Sequence, residues 1–420
     1  MKRENTIRID TFAQFPLSAG LQKKLAAAQF ITPTPVQAQT IPLALEGKDV
    51  LATAQTGTGK TLAFLIPVLT LLERDGSTPA SAKSALAGDS VSGRGVEALV
   101  LVPTRELAMQ VHEQFELLRG KNMRPAALVI GGLAEKKQLQ AIRSGARIVV
   151  ATPGRLEDYL RRNLVSLGGV RIAILDEADR MLDMGFLPAI RRILALVPQQ
   201  RQTMCFSATL EASVASLVDQ YMRNPARIAL GSTLKPAESV QLQAFEVAGM
   251  QKPDVLRQLL YTQKGRTLVF ARTKRGTERL TKELLRDGFA AAMIHGDRSQ
   301  AQRTAALSSF EEGRIKVLVA TDVAARGLHV QDITHVINYD LPTLPEDFIH
   351  RVGRTGRAGA CGLASTLVSG AEIFELHSIE RALKLRIERK EFAPGNSLGP
   401  KVRNTLASRT IAALPGEVFA

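Results

Sequence analysis

Residues 50–61 read VLATAQTGTGKT. The apolar start of this stretch predicts a β strand, its glycines predict a tight loop, and the apolar run that follows predicts a helix. Glycines let backbone N–H groups crowd around phosphate oxygens, a lysine reaches the outer phosphates, and a threonine hydroxyl can bind Mg²⁺. The stretch therefore predicts a binding site for a nucleotide phosphate chain at a strand–loop–helix junction.

The loop departs from the usual phosphate-loop pattern, because Ala54 stands where that pattern has its first glycine. An ordinary glycine-rich turn is the alternative, and the strand and helix on either side favour the phosphate loop. We assign a catalytic role to Lys60 and metal binding to Thr61. The loop residues expected to contact the nucleotide are Ala54, Gln55, Thr56, Gly57, Thr58, Gly59, Lys60 and Thr61.

The chain has 420 residues, 45% apolar and 23% charged, and its net charge is +15. That length predicts two domains, and that composition predicts a globular protein. A strongly basic protein is expected to bind an anion such as nucleic acid, with a merely basic surface as the alternative. Cys205 and Cys361 lie in apolar stretches without metal-ligand spacing, and we expect buried thiols of a reducing compartment. No apolar run is long enough to predict a membrane span.

Short apolar runs alternate with helical patterns along most of the chain. Such runs predict parallel sheets with helices on both faces, the α/β class. The rhythm stops at a polar stretch over 231–240 and then starts again, so we predict two tandem parallel-sheet domains joined by a flexible linker. Ligands of such sheets bind beyond the carboxyl ends of the strands.

We place the N-terminal domain at 1–230, the linker at 231–240, the C-terminal domain at 241–390 and a flexible tail at 391–420. Residues 74–96 are rich in serine, alanine and glycine, and we expect a mobile surface loop there.

Residues 176–179 read DEAD and follow the apolar run 172–175. A carboxylate at the end of a buried strand can hold Mg²⁺, and its neighbour can orient a water molecule for attack. An acidic first turn of a helix is the alternative, because the helix dipole favours it. The phosphate loop in the same domain favours the metal interpretation, which makes Asp176 and Glu177 candidates for metal binding and catalysis.

Between about residues 12 and 385 the chain resembles the DEAD-box RNA helicases, with motifs in the order of that family. The resemblance implies two tandem RecA-like domains and an RNA-stimulated ATPase. It further implies that hydrolysis of ATP, with Mg²⁺, drives local RNA unwinding or ribonucleoprotein remodelling without sequence preference.

Residues 34–37 read TPVQ and resemble the Q motif of the family. The resemblance implies that Gln37 reads the adenine edge of ATP and that Phe30 packs on the base. An amide suits this role because it donates and accepts at once. Without the resemblance, Gln37 would be interpreted as a polar residue at a helix start.

Further family motifs follow predicted strands in both domains. Arginines, hydroxyls and exposed backbone N–H groups can grip a sugar-phosphate chain without reading its bases. Several of these residues could equally be helix caps, or interdomain contacts in the second domain. The resemblance implies RNA binding by Pro103, Thr104, Arg105, Gly131, Gly132, Thr152, Pro153, Gly154, Arg155, Arg272, Thr273, Gly296, Gln300, Arg303, Thr321 and Asp322.

Residues 350–357 read HRVGRTGR and match the arginine-rich motif of the family. The resemblance implies that Arg354 and Arg357 are catalytic and reach the γ-phosphate held by the other domain. Such an arginine contributes about 10³- to 10⁵-fold in rate. The residues implied to couple hydrolysis to strand separation are Asp179, Ser207, Ala208, Thr209 and His350.

Residues 321–329 follow another family motif with one departure. The resemblance implies nucleotide contacts from Gly327 and from position 329, where the family has aspartate and this chain has His329. A neutral imidazole can bond a ribose hydroxyl but lacks the carboxylate's charge. We therefore hypothesise a weaker ATP-driven closure of the two domains.

RNA, single-stranded or in short duplexes, is the expected partner, and we expect a cytoplasmic monomer without membrane contact. Resemblance to bacterial members makes ribosome-assembly or RNA-decay proteins plausible partners. Two alternatives stay open. One is an ATP-gated RNA clamp with little unwinding, and the other is a DNA-directed translocase, which the motifs at 34–37 and 176–179 disfavour.

Overall fold

The computed structural model of the chain describes residues 9–54, 58–76, 95–210, 212–230, 239–325, 330, 332–356 and 360–392. Most of the expected linker, the centre of the expected surface loop and the tail beyond 392 lie outside these residues. In the part of the chain that is described, no helix is long and apolar enough to span a bilayer.

The N-terminal domain is built on a parallel sheet of seven strands, lying side by side in the order β3-β4-β2-β5-β6-β1-β7. The strands are β1 (Val50–Thr53), β2 (Ala98–Leu101), β3 (Ala127–Val129), β4 (Ile148–Ala151), β5 (Ile172–Leu175), β6 (Gln202–Ser207) and β7 (Ala226–Ala229).

The C-terminal domain repeats this arrangement in a second seven-stranded parallel sheet, of order β10-β11-β9-β12-β13-β8-β14. Its strands are β8 (Val240–Glu246), β9 (Arg266–Phe270), β10 (Ala291–Ile294), β11 (Val317–Ala320), β12 (Ile333–Asn338), β13 (Gly362–Val368) and β14 (Glu388–Lys390). Renumbered from its own first strand, the second sheet has the same strand order as the first. The expected α/β class and tandem architecture are therefore confirmed.

Helices connect the strands and cover both faces of each sheet, as parallel pairing requires. They are α1 (Ala19–Ala27), α2 (Pro35–Leu45), α3 (Lys60–Gly76), α4 (Arg105–Leu118), α5 (Glu135–Arg143), α6 (Pro153–Arg161), α7 (Ala178–Asp183), α8 (Leu187–Ala195), α9 (Ala212–Tyr221), α10 (Lys252–Thr262), α11 (Lys274–Arg286), α12 (Gln300–Glu311), α13 (Asp322–Ala325), α14 (Pro345–Val352) and α15 (Glu372–Leu383).

Each sheet has a hydrophobic core on both of its faces. Along β1, Val50 and Ala52 belong to one core, and Leu51 between them belongs to the other. This follows from the period of two along a strand. Because both faces of the sheet are buried, the strands are unbroken apolar runs in the sequence and do not alternate between apolar and polar residues.

Three details differ from the sequence expectations. Helix α3 continues to Gly76, and Val96 is buried, so the ends of the expected loop 74–96 belong to the folded domain. Strand β8 already begins at Val240, the last residue of the expected linker. Cys361 is exposed, in contrast to Cys205, because it precedes strand β13 instead of lying within it.

Candidate nucleotide and nucleic-acid site

The phosphate loop connects β1 to α3, as the sequence predicts. Lys60 lies in the first turn of α3, is 6% exposed, and donates a hydrogen bond from Nζ to the carbonyl oxygen of Ala54 at 3.0 Å. Thr58 and Thr61, half-buried, flank the lysine at this helix start. Gln55, Thr56 and Gly57 lie outside the described residues.

Gln37 contacts this loop directly. Its Nε2 donates to the carbonyl oxygen of Gly59 at 2.9 Å, and its Oε1 accepts from the backbone N–H of Thr34 at 2.8 Å. Gly59 has a left-handed φ of +86°, and a Cβ there would collide with the Gln37 amide. Both polar ends of the amide are therefore bonded to the backbone. Phe30, expected to pack on the base, is half-buried against the N-terminal core.

The acidic residues lie at the carboxyl end of β5. Burial raises the pKa of Asp176 to about 7, the Glu177 charge adds to that shift, and Lys60 opposes it. Glu177 adopts a left-handed φ of +51°, which is uncommon outside glycine and is enriched at functional sites. Its buried Oε2 has no hydrogen-bond partner within the described residues.

Asp179 connects the acidic motif to the end of β6. Its Oδ2 accepts hydrogen bonds from the N–H groups of Ala208 and Thr209 at 2.9 and 3.0 Å, and from the Thr209 hydroxyl at 3.3 Å. Ser207 is fully buried at the end of β6, where its carbonyl accepts from the Ala54 N–H at 3.0 Å. Hydrogen bonds therefore connect the acidic motif, the end of β6 and the start of the phosphate loop.

Helix α7 runs from the acidic motif toward the cleft between the domains. The helix ends at Asp183, and Gly185 beyond it has a φ of +77°, so that the N–H of Phe186 turns back to the carbonyl of Met181 at 2.9 Å. Phe186 then lies against Gly154, where a Cβ would be 4.0 Å from the ring. Both Phe186 and Gly154 line the cleft.

In the N-terminal domain the guanidinium of Arg105 lies over the backbone of Gly131 and Gly132. A Cβ on Gly131 would be 3.0 Å from Arg105 Nη2, and one on Gly132 would be 2.5 Å from Nη1. Gly132 also has a φ of +82°, so glycine is required there on two grounds. The N–H of Thr152 donates to the carbonyl of Val129 at 3.1 Å, which places two expected RNA motifs side by side.

A cleft of about 560 Å³ separates the two domains and brings many of the expected RNA-binding residues together. Those that line it are Pro103, Thr104, Arg105, Gly131, Thr152, Gly154, Arg155, Gly296 and Arg303. Thr104 and Thr152 precede α4 and α6, and Pro153 is buried in the first turn of α6. The helix-cap alternative is therefore true of Thr104, whose hydroxyl accepts from the Leu107 N–H at 3.3 Å.

Arg272 and Thr273 follow β9. The backbone N–H of Arg272 donates to Asp340 Oδ2 at 2.8 Å, and its guanidinium lies 3.8 Å from Glu372. Thr273 caps α11, since its hydroxyl accepts from the Gly276 N–H at 2.9 Å.

Thr321 and Asp322 follow β11, and the Asp322 side chain pairs with a buried arginine of its own domain. Its two carboxylate oxygens accept from the Arg351 guanidinium at 2.5 and 2.7 Å. Arg351 is 2% exposed, donates also to the carbonyl of Asp340 at 2.6 Å, and lies 4.9 Å from the Phe270 ring centroid. From the sequence, Asp322 is expected to bind RNA and Arg351 has no expected role, whereas the structure pairs the two side chains.

Gln300 and Arg303 contact the opposite domain. Gln300 Nε2 donates to Glu106 Oε1 at 3.0 Å, and Arg303 Nη2 lies 2.8 Å from Glu106 Oε2. All three side chains are more than nine-tenths buried. The contact supports the interdomain alternative for these two residues, and their shared partner Glu106 was not among the residues expected from the sequence.

A second cross-domain contact lies beside the arginine-rich motif. Arg180 of α7, 2% exposed, places Nη1 3.6 Å from Asp347 Oδ1 of α14. A small cavity next to this pair is lined by His350 and Arg354, and Arg354 Nε donates to the His350 carbonyl at 3.3 Å. Gly327, His329 and Arg357 lie outside the described residues.

Comparison with known proteins agrees with this geometry. Residues 34–217 match the DEAD/DEAH box helicase family, and residues 251–359 match the helicase conserved C-terminal domain. The DEAD-box ATP-dependent RNA helicase CshA of Geobacillus kaustophilus is 41% identical over 380 residues, covering 90% of this chain and 78% of the relative. CshA of Bacillus subtilis is 41% identical over 381 residues, covering 90% and 74%.

Solved structures give the same picture. Dbp5 of S. cerevisiae bound to RNA and ADP BeF3 superposes with a TM-score of 0.78 at 30% identity, covering 91% of this chain and 96% of that one. Mss116p bound to ssRNA and AMP-PNP superposes with a TM-score of 0.79 at 26% identity, and the match covers 94% of this chain and 82% of that one. These likenesses confirm the pair of RecA-like domains. With relatives this similar over most of both chains, the protein belongs to the DEAD-box ATP-dependent RNA helicases, a family that hydrolyses ATP.

Proposed function

We propose that this helicase binds ATP on the phosphate loop of the N-terminal domain and RNA in the cleft between the domains, and that each ligand favours domain closure. The observation that carries the proposal is the cleft itself, which is lined by motif residues of both domains and is flanked by ion pairs between them. Closure would place groups of both domains on the same nucleotide, and hydrolysis would let them separate.

Lys60 is the proposed phosphate ligand. In the structure its ammonium group is buried and bonded to the Ala54 carbonyl, and a phosphate oxygen would be a stronger, charged acceptor for the same group. Arg354 and Arg357 are proposed to neutralise the γ-phosphate from the other domain. They would lower the activation free energy of hydrolysis by an amount on the order of 4 to 7 kcal/mol.

Magnesium is the proposed metal, held by Thr61, Asp176 and Glu177. The donor set fits this ion, because hydroxyl and carboxylate oxygens are its preferred protein ligands. The unpartnered Oε2 of Glu177 and the raised pKa of Asp176 indicate carboxylates that gain from a nearby cation. When bound, the metal would neutralise charge between the β- and γ-phosphates.

RNA is proposed to contact the cleft through its backbone. Gly154 supports this assignment, because it lies in the first turn of α6 and, among the described residues outside that turn, only the Phe186 ring comes within 4 Å of a Cβ placed there. Glycine within a helix costs about 1 kcal/mol relative to alanine, and neither a left-handed φ nor tight packing requires it here. Close approach of a bound backbone would account for it. Backbone contacts carry little sequence preference, so local, sequence-independent unwinding or remodelling is expected.

We propose that the protein acts as a monomer in the cytoplasm. The exposed, free Cys361 suits a reducing compartment. Ribosome-assembly or RNA-decay proteins are the proposed partners.

Replacement of Lys60 by alanine tests the nucleotide assignment. We expect RNA-stimulated ATP turnover to fall at least about 100-fold, because a charged ligand of the phosphates is lost. Lys23→Ala, which removes an exposed lysine of α1, should leave turnover unchanged. Normal turnover by the Lys60 variant would refute the assignment. Stimulation of the wild type by DNA as strongly as by RNA would refute the choice of RNA as the ligand.

A further inference from the structure

Gln138 is a buried side chain whose three hydrogen bonds all go to the ends of the glycine loop. It lies on α5 and is 5% exposed. Its Oε1 accepts from the N–H of Ile130 at 2.9 Å, and its Nε2 donates to the carbonyl oxygens of Ile130 at 3.0 Å and Leu133 at 3.1 Å. The glycine loop, Gly131–Gly132, is the pair of residues between those two anchors.

The first two of these bonds extend the sheet. Strand β3 is the outer strand of the N-terminal sheet and ends at Val129. The Gln138 amide bonds both the N–H and the C=O of the next residue, Ile130, as a paired β strand would. The third bond fixes the carbonyl three residues further on. One side chain therefore sets both ends of the glycine loop.

The other sides of the loop face functional groups. The Arg105 guanidinium lies over both glycines, and a Cβ on Gly132 would be 3.6 Å from Cβ of Gln300 in the opposite domain. Gly131 lines the cleft. A displacement of the loop would therefore change the RNA-facing surface and the domain contact together.

We propose that Gln138 is a positioning residue that holds the glycine loop in the shape that grips the RNA backbone. The inference rests on the proposed RNA role of Gly131 and Gly132. The chemistry requires glutamine, since one group must accept once and donate twice. A glutamate would place its carboxylate against two carbonyl oxygens, and a methionine would leave an N–H and two C=O groups unpaired.

The test compares Gln138→Met with Gln140→Met, which alters an exposed glutamine on the same helix. Three quantities are measured: the RNA concentration that half-saturates the ATPase, kcat at saturating RNA, and the affinity for a fluorescent ADP without RNA. We expect the Gln138 variant to need on the order of tenfold more RNA, because the loop loses its side-chain anchors and must be ordered again on binding. Its kcat and ADP affinity should stay within about twofold, and Gln140→Met should match the wild type. A general structural defect would change all three quantities together.

Amide hydrogen exchange over 130–133, measured without RNA, separates the two parts of the inference. Faster exchange together with weaker RNA binding in the Gln138 variant supports the proposal. Unchanged exchange overturns the positioning role of Gln138. Faster exchange with unchanged RNA affinity also overturns the proposal. In that case Gln138 holds the loop, and the RNA role of the glycine loop is the part that fails. If the methionine variant does not fold, Gln138→Asn carries the same test, because its shortened amide cannot reach both anchors.

Discussion

The carboxylate of Glu106 in the N-terminal domain lies 2.8 Å from the guanidinium of Arg303 in the C-terminal domain, and both side chains are buried. Burial opposes the charge on Arg303 and lowers the pKa of that group, whereas Glu106 raises it. A buried arginine of this kind needs its partner. The pair exists only while the domains are together, so its free energy contributes to closure.

We expect Glu106→Ala to shift the protein toward the open form. Loss of one partner of a buried ion pair costs about 3 to 5 kcal/mol, which is at least on the order of 100-fold in the closure equilibrium. The fraction of closed protein can be measured by fluorescence energy transfer between two dyes, one on each domain. The measurement is made with RNA and a non-hydrolysable ATP analogue present. Lys23→Ala, at an exposed position of α1, should close like the wild type. Equal closure by the two variants would contradict the role of Glu106.

Arg351→Lys is expected to destabilise the C-terminal domain. A lysine cannot reproduce the two-pronged bond to Asp322 together with the bond to the Asp340 carbonyl. The free energy of unfolding should fall by about 3 kcal/mol, measured by urea denaturation. Arg386→Lys, an exposed substitution, is the control. A change below about 0.5 kcal/mol in the Arg351 variant would contradict the structural role of this arginine.

His335 predicts a pH dependence of stability. It is buried on β12, its Nε2 lies 2.7 Å from Ser365 Oγ, and burial lowers its pKa from 6.5 to about 4. Above pH 6.5 it is neutral in both states. Between pH 6.5 and 4 only the unfolded chain takes up the proton, so stability falls with falling pH, by about 3 kcal/mol in full. The free energy of unfolding, measured by urea denaturation from pH 7.5 to 4.5, should depend less steeply on pH in His335→Gln than in the wild type. The control His377→Gln should behave like the wild type. Equal slopes would contradict the prediction.

Asp176 predicts proton release on nucleotide binding. With a pKa of about 7 the carboxyl is mostly protonated at pH 6, and it must ionise to bind a metal. Binding of Mg·ATP should release more protons from this group at pH 6 than at pH 8. Calorimetry in buffers of different ionisation enthalpy measures the difference. Asp176→Asn should abolish this pH dependence, and its persistence there would assign the proton to another group.

His329→Asp is expected to lower KM for ATP. The carboxylate would restore a charged acceptor for a ribose hydroxyl, with an effect on the order of 1 kcal/mol, or several-fold in KM. Steady-state ATPase assays at saturating RNA measure it. Unchanged KM and kcat would refute the hypothesis that His329 weakens closure.

Most of the fold could be predicted from the chain because most strands are buried on both faces. The run 172–175 is wholly apolar and forms β5. Strands β7, β8 and β14 contain charged or polar residues, so they do not stand out as apolar runs. Strand β14 is a three-residue outer strand of charged side chains, and it is held by pairing with β8, which no local pattern can show.

The site was predictable where its chemistry is local. Residues 176–179 were expected after a strand and follow β5, and Lys60 and Arg105 begin the helices that come after β1 and β2. The partners of these residues were not predictable, because they depend on packing between distant segments. Glu106 and Gln300 are 194 residues apart, and nothing near Glu106 indicates an interdomain contact. For Gln37, likewise, the family resemblance implied an adenine ligand, and the structure adds two backbone bonds.

Helix α7 has six residues, which corresponds to about 9 Å and fewer than two turns. It starts at the acidic motif and leads, through Gly185, to the phenyl ring against Gly154. Because this helix is so short, the acidic motif at its start and the ring that follows its end are separated by only a few residues. We expect a substitution that displaces this helix to alter both the ATPase activity and the RNA affinity.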